Sequence, residues 1–139
     1  MMLDVISLVA VAALFGSMLF FSAVVAPYTF KSLEIDAAGQ YIRGFFPWYY
    51  RVIGSLSLIA GLCLALARPL DATVMFAVAA MTLLAAGWLM PRINLYRDQA
   101  RAGDRDANTR FGRLHLASVT INAAQLIAVF GVLSHLAVD

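Results

Sequence analysis

Between Asp4 and Lys31 the chain carries no charged residue, and between Asp71 and Arg92 it again carries none. Each run exceeds the roughly 18 apolar residues that mark a helix able to cross a bilayer. Inside hydrocarbon a backbone must satisfy its own N–H and C=O groups, so runs like these fold as helices or stay out of the membrane. Composition agrees: only 13% of the 139 residues are charged, where a soluble domain has about 25%, and the mean hydropathy is +0.84. The expected fold class is all-α, a polytopic membrane four-helix bundle forming one domain over 1–139. Its spans fall near 4–26, 48–67, 72–92 and 114–136. The start MMLD lacks the Lys or Arg of a secretory leader, and Pro27 follows the only stretch that could be cleaved, so the first run reads as a retained span.

The polar stretch from Pro91 to Gln125 holds six of the ten basic residues: Arg92, Arg97, Arg101, Arg105, Arg110 and Arg113. Lys31, Arg43 and Arg51 flank the first connection, and Arg68 alone lies at the opposite end of the spans. Basic residues collect on the cytoplasmic side of membrane proteins. This asymmetry therefore puts the first and third connections in the cytoplasm and both termini outside, and the expected location is a bacterial plasma membrane. The basic residues mark the ends of apolar runs rather than one polar face, which argues against a nucleic-acid partner.

Between the first two spans, Phe30, Leu33, Ala37, Tyr41, Ile42 and Phe45 recur at helical spacing opposite Lys31, Glu34, Asp36, Gln40 and Arg43. This predicts an amphipathic connection over 28–46. Phe45 to Arg51 reads as an aromatic interfacial belt, with Pro47 in the first turn of the second span. Gly54, Ser57 and Gly61 give that span a face of small residues, suited to close helix approach and to a homo-oligomer. Pro91 removes the donor that would bond the Gly87 carbonyl, so the third helix should kink and continue into the cytoplasm to about Ala102. Gly103 is a natural helix stop, and Asp104, Asp106 and Asn108 can start the last helix.

Chemistry must be sought where polar groups meet apolar helices. His115, Ser118, Asn122 and Gln125 align on one face of the last helix, at spacings of three, four and three. Such groups either hydrogen-bond neighbouring helices or line a wet cavity. The sharper reading is a ligand site in which Arg92, Asn94 and His115 meet Tyr49 and Tyr50 around a small anionic or amphiphilic molecule, with Ser118, Asn122 and Gln125 extending it inward. Arg97 and Asp98 are adjacent and point different ways, so each is expected to form a structural ion pair with another helix. No catalytic set is apparent and no metal site is expected: His115 and His135 should lie at opposite membrane faces, and Cys63 is the only cysteine.

Phe15-Gly16, Phe21, Ala26-Pro27 with Phe30, and Phe46-Pro47-x-Tyr49-Tyr50 resemble the transmembrane protein 205-like family. So do Pro91-x-Ile93-Asn94 with Arg97-Asp98, Arg110-Phe111, Leu114-His115, Ser118, Asn122 and Gln125. The resemblance covers nearly the whole chain. It implies a four-span bundle and, by association with an animal member, drug export; it brings no catalytic residue.

The leading functional reading is a protein of the lipid bilayer that binds or helps to transport a small amphiphilic or metal-bearing solute near the cytoplasmic face. One alternative is a membrane redox or tetrapyrrole-binding protein, with His115 as axial ligand to a haem. Another is a structural partner subunit of a membrane complex.

Overall fold

The computed structural model describes residues 2–138, and every regular element among them is helical. Four long helices account for the fold: α1 (Met2–Ser32), α2 (Ile35–Leu64), α3 (Pro69–Arg101) and α4 (Arg105–Val138). α1, α3 and α4 are long and apolar enough to cross a membrane, as a membrane protein requires. α2 has a less apolar composition, because the Trp48–Arg51 belt sits mid-helix and the helix stops at Leu64, before the expected end at 67. Each helix packs on its neighbour in the chain, and α4 closes the ring against α1.

Prolines set the internal shape of α1 and α3. Ahead of Pro27 the helix widens over Phe21–Val25, where the N–H of Ala26 bonds the carbonyl of Phe21. Ahead of Pro91 it widens in the same way over Ala85–Leu89, with the Met90 N–H bonded to Ala85. A proline ring has no N–H to give and crowds the carbonyl four residues earlier, and a turn with i→i+5 bonds makes room for it. The distortion expected at Pro91 is thus a wide turn just upstream of the proline, and α1 carries its counterpart.

The first connection differs from expectation. The chain breaks only at Leu33 and Glu34, whose backbones are extended (φ −118°, ψ 151° and φ −55°, ψ 145°). The helix that restarts at Ile35 runs unbroken through Pro47, so the amphipathic connection and the second span are one element. Its buried face in this part is Ala38, Gly39 and Ile42, while Phe30, Leu33, Ala37 and Tyr41 are exposed. Restarting at Ile35 gives α2 its own register, independent of the helix before the break. The other long connection needs three residues: Gly103 adopts φ 101°, and the Asp104 carboxylate accepts the Ala107 N–H at 3.1 Å to start α4.

The core runs through the bundle as Val11, Leu14 and Met18 of α1, Ile53 and Ala60 of α2, Met75 and Val78 of α3, and Val129 and Val132 of α4. The small face of α2 is used here. A Cβ built on Gly61 would lie 2.8 Å from the Phe76 ring, and one on Gly54 would lie 3.8 Å from Thr82. These residues let α2 approach α3 within the chain, which removes the reason for assigning them to self-association. A separate apolar cluster of Leu89, Met90 and Ile93 packs with Phe46, Tyr50, Phe111 and Leu114 nearer the Arg-rich end.

Candidate functional site

Beside the two wide turns the four helices part, leaving a cleft of about 790 Å³. α1 contributes Phe21, Ser22 and Phe30; α2 contributes Gly39, Phe46, Tyr49, Tyr50 and Ile53; α3 contributes Met90, Ile93, Asn94 and Arg97; α4 contributes Phe111, His115, Ser118, Asn122 and Gln125. The volume is within the range typical of small-molecule sites. Its inner wall is an aromatic cluster: Phe21 lies 4.5 Å from Tyr49 and 5.5 Å from Phe46 between ring centroids, and Phe46 stacks on Tyr50 at 5.4 Å. A second hollow of about 440 Å³ lies along the α2–α3 seam, sharing Phe46, Tyr50 and Asn94 with the cleft and reaching exposed Pro47, Arg51 and Leu83.

The polar groups of α4 do two different jobs with depth. The Tyr49 hydroxyl donates to Asn122 Oδ1 at 2.9 Å, and Asn122 Nδ2 donates to the Ser22 hydroxyl at 2.9 Å. One amide therefore ties α4 to both α2 and α1. Gln125 donates to the Val78 carbonyl at 3.0 Å and to the Thr82 hydroxyl at 3.3 Å, tying α4 to α3. Ser118 lines the cleft together with Tyr50. His115 is exposed at the mouth, stacked on Phe111 with centroids 5.8 Å apart. Ties at depth give way to an exposed imidazole at the opening.

On α3, Asn94 faces the cleft but Arg92 does not. Arg92 lies four residues after Trp88, on the same exposed helix face, and its guanidinium sits 4.1 Å from that ring. The expectation that Arg92 joins Asn94 and His115 is corrected accordingly. The arginines that do line the cleft are Arg43, Arg97 and Arg101, of which Arg97 lies against Gly39. Asp98 pairs across to α2, with both its oxygens 3.0–3.1 Å from Arg43. Arg97 forms no ion pair among the described residues, which corrects the second half of the expected pairing. Arg101 pairs with Asp36 beside it.

A family described as a domain of unknown function (DUF4149) matches residues 9–102. The chain belongs to the DUF4149 family. The match takes in α1 from residue 9 onward, all of α2 and α3, and with them Ser22, Gly39, Arg43, Tyr49, Tyr50, Asn94 and Arg97. His115, Ser118, Asn122 and Gln125 lie beyond it on α4. No curated protein and no solved structure matches the chain.

Four participants escaped the sequence reading: Ser22, Gly39, Arg43 and the cleft-facing role of Arg97. Gly39 carried no distinguishing signal, since Gly16, Gly44, Gly112 and Gly131 are also lone glycines in helices and a Cβ on any of them would meet nothing within 4 Å. Among the described residues no three of His, Cys, Asp or Glu gather as a metal site would need.

Proposed function

We propose that this DUF4149 protein is a four-span membrane bundle whose cleft binds a small amphiphilic solute near the cytoplasmic face. The observation that carries the reading is the cleft itself: four helices surround it, aromatic rings wall its depth, and charged and imidazole groups gather at one end. An amphiphile needs that gradient. α2 serves as the fourth span in this arrangement, with Arg51 held on the ring of Trp48 at 4.8 Å in the interfacial zone. The resemblance to the transmembrane protein 205-like family, and the drug export associated with it, fits a protein that handles amphiphiles.

Orientation follows from the basic asymmetry, with the cleft mouth among the cytoplasmic arginines and the Asp71–His135 contact of 3.2 Å at the outer end. Membrane-impermeant labelling of single cysteines, in a Cys63→Ala background, should reach position 105 from inside and position 71 from outside; the reverse pattern would overturn the orientation.

The binding test is displacement of a fluorescent amphiphile from protein held in phosphatidylcholine nanodiscs. Ile53→Trp, which fills the cleft floor, should abolish saturable binding while preserving the helical signal. Unchanged binding in that variant would remove the cleft from consideration. An absorption spectrum of the natively purified protein with a haem-like band would favour a tetrapyrrole instead.

A further inference from the structure

Three arginines and two aspartates meet at the mouth of the cleft: Arg43 holds Asp98 and Arg101 holds Asp36, which leaves Arg97 between them as the surplus positive charge. Arg97 ion-pairs and hydrogen-bonds with no group among the described residues. It is partly buried rather than free in solvent. Its guanidinium occupies the notch left by the missing side chain of Gly39, since a Cβ built there would overlap the guanidinium atoms. Such a seat fixes the direction of a planar donor group that otherwise samples many rotamers.

A half-buried cation beside an apolar cavity gains most from an anion that brings two oxygens to its fork of N–H groups. Behind Arg97 the same wall continues through Ile93 and Met90, with Phe46 and Tyr50 opposite. From Arg97 to Thr82 the α3 axis covers about 22 Å, at 1.5 Å per residue. We propose that Arg97 is the headgroup site for an anionic amphiphile, a carboxylate or phosphate on an acyl-type chain, whose chain lies along the aromatic wall. The proposal rests on the cleft reading above and narrows it to a class of ligand.

The experiment compares chains of matched length bearing carboxylate, phosphate or alcohol heads as competitors in phosphatidylcholine nanodiscs. Wild-type protein should bind both anions at least about tenfold more tightly than the alcohol, a difference near 1.4 kcal/mol. Arg97→Gln should bring the three within roughly twofold of one another, with alcohol binding unchanged. Arg97→Lys should keep part of the preference. Gly39→Ala, which displaces the guanidinium tip without removing its charge, should weaken anion binding alone. Arg51→Gln, stacked on Trp48 outside the cleft, should change nothing. Equal binding of all three heads by the wild type, or a preference that survives Arg97→Gln, overturns the headgroup assignment and leaves the cleft reading standing. Absence of any saturable binding overturns both. Doping the nanodiscs with phosphatidylglycerol separates the sources: competition assigns the site to a bilayer lipid, and its absence to a free single-chain amphiphile. Either result supports an anion on Arg97.

Discussion

Removing the Asn122 amide tests whether the polar face of α4 holds the bundle together. Asn122 accepts from Tyr49 at 2.9 Å and donates to Ser22 at 2.9 Å, so one side chain joins three helices. Interhelical hydrogen bonds in membranes average about 0.6 kcal/mol and reach about 1.7, because polar groups also find partners in the membrane-embedded unfolded state. Tyr49→Phe removes one bond and should cost about 0.6 kcal/mol; Asn122→Leu removes two and should cost about 1.2 kcal/mol. The double variant should lose no more than Asn122→Leu alone, giving a coupling near 0.6 kcal/mol. Reversible unfolding in mixed micelles, followed by far-ultraviolet circular dichroism, measures all four species. A coupling below about 0.2 kcal/mol would refute the bond as a structural tie.

Gly61→Val should destabilise the bundle by about 1–3 kcal/mol through overpacking, since a Cβ at that position already lies 2.8 Å from Phe76. Phe76→Leu should recover part of the loss, and an unaltered melting temperature in Gly61→Val would contradict the packing. The Arg43–Asp98 pair spans 3.0 Å, but its side chains are 47% and 50% exposed. A double-mutant cycle should therefore give a coupling of only about 0.2–1 kcal/mol, reduced further in high salt.

The sequence was most informative where a property depends on nearby residues. The charge-free runs mark helices whatever their neighbours do. Gly103 and Asp104 end one helix and start the next through local backbone preference and a local cap. Alignment of His115, Ser118, Asn122 and Gln125 follows from helical period alone, and Asn122 and Gln125 do bond to other helices. What could not be read depends on where neighbouring helices lie. Gly61 and Gly54 form a small face under either interpretation, and only the position of Phe76 and Thr82 shows that the face is internal. Gly39 has meaning only because Arg97 arrives opposite it from another helix. The exchange of Arg97 for Arg92 was legible in the helical period, since Arg92 lies about 200° from Asn94 and Arg97, three residues on, shares its face; what the wide turn adds is a rotation of everything beyond it.

That rotation can be worked out. Thr82 and Asn94 both line the cleft, yet in an unbroken α-helix at 100° per residue they would face about 120° apart. The wide turn over Ala85–Leu89 holds roughly one residue more than an α-turn and so takes back about 100°, which brings Asn94 and the residues after it round to the wall that Thr82 begins. Pro91 favours the wide turn because its ring would otherwise crowd the Gly87 carbonyl. Deleting Gly87 together with Pro91→Ala should let the turn close as ordinary α-helix with the faces on either side still aligned. Adding one alanine beside Gly87 should instead rotate the Arg97 end of α3 away by about 100°. Cysteines at positions 39 and 97, in a Cys63→Ala background, report the difference through a short thiol cross-linker. Cross-linking should survive the deletion and disappear with the insertion. If the deletion loses it as completely as the insertion, the wide turn is not what aims Arg97 into the cleft.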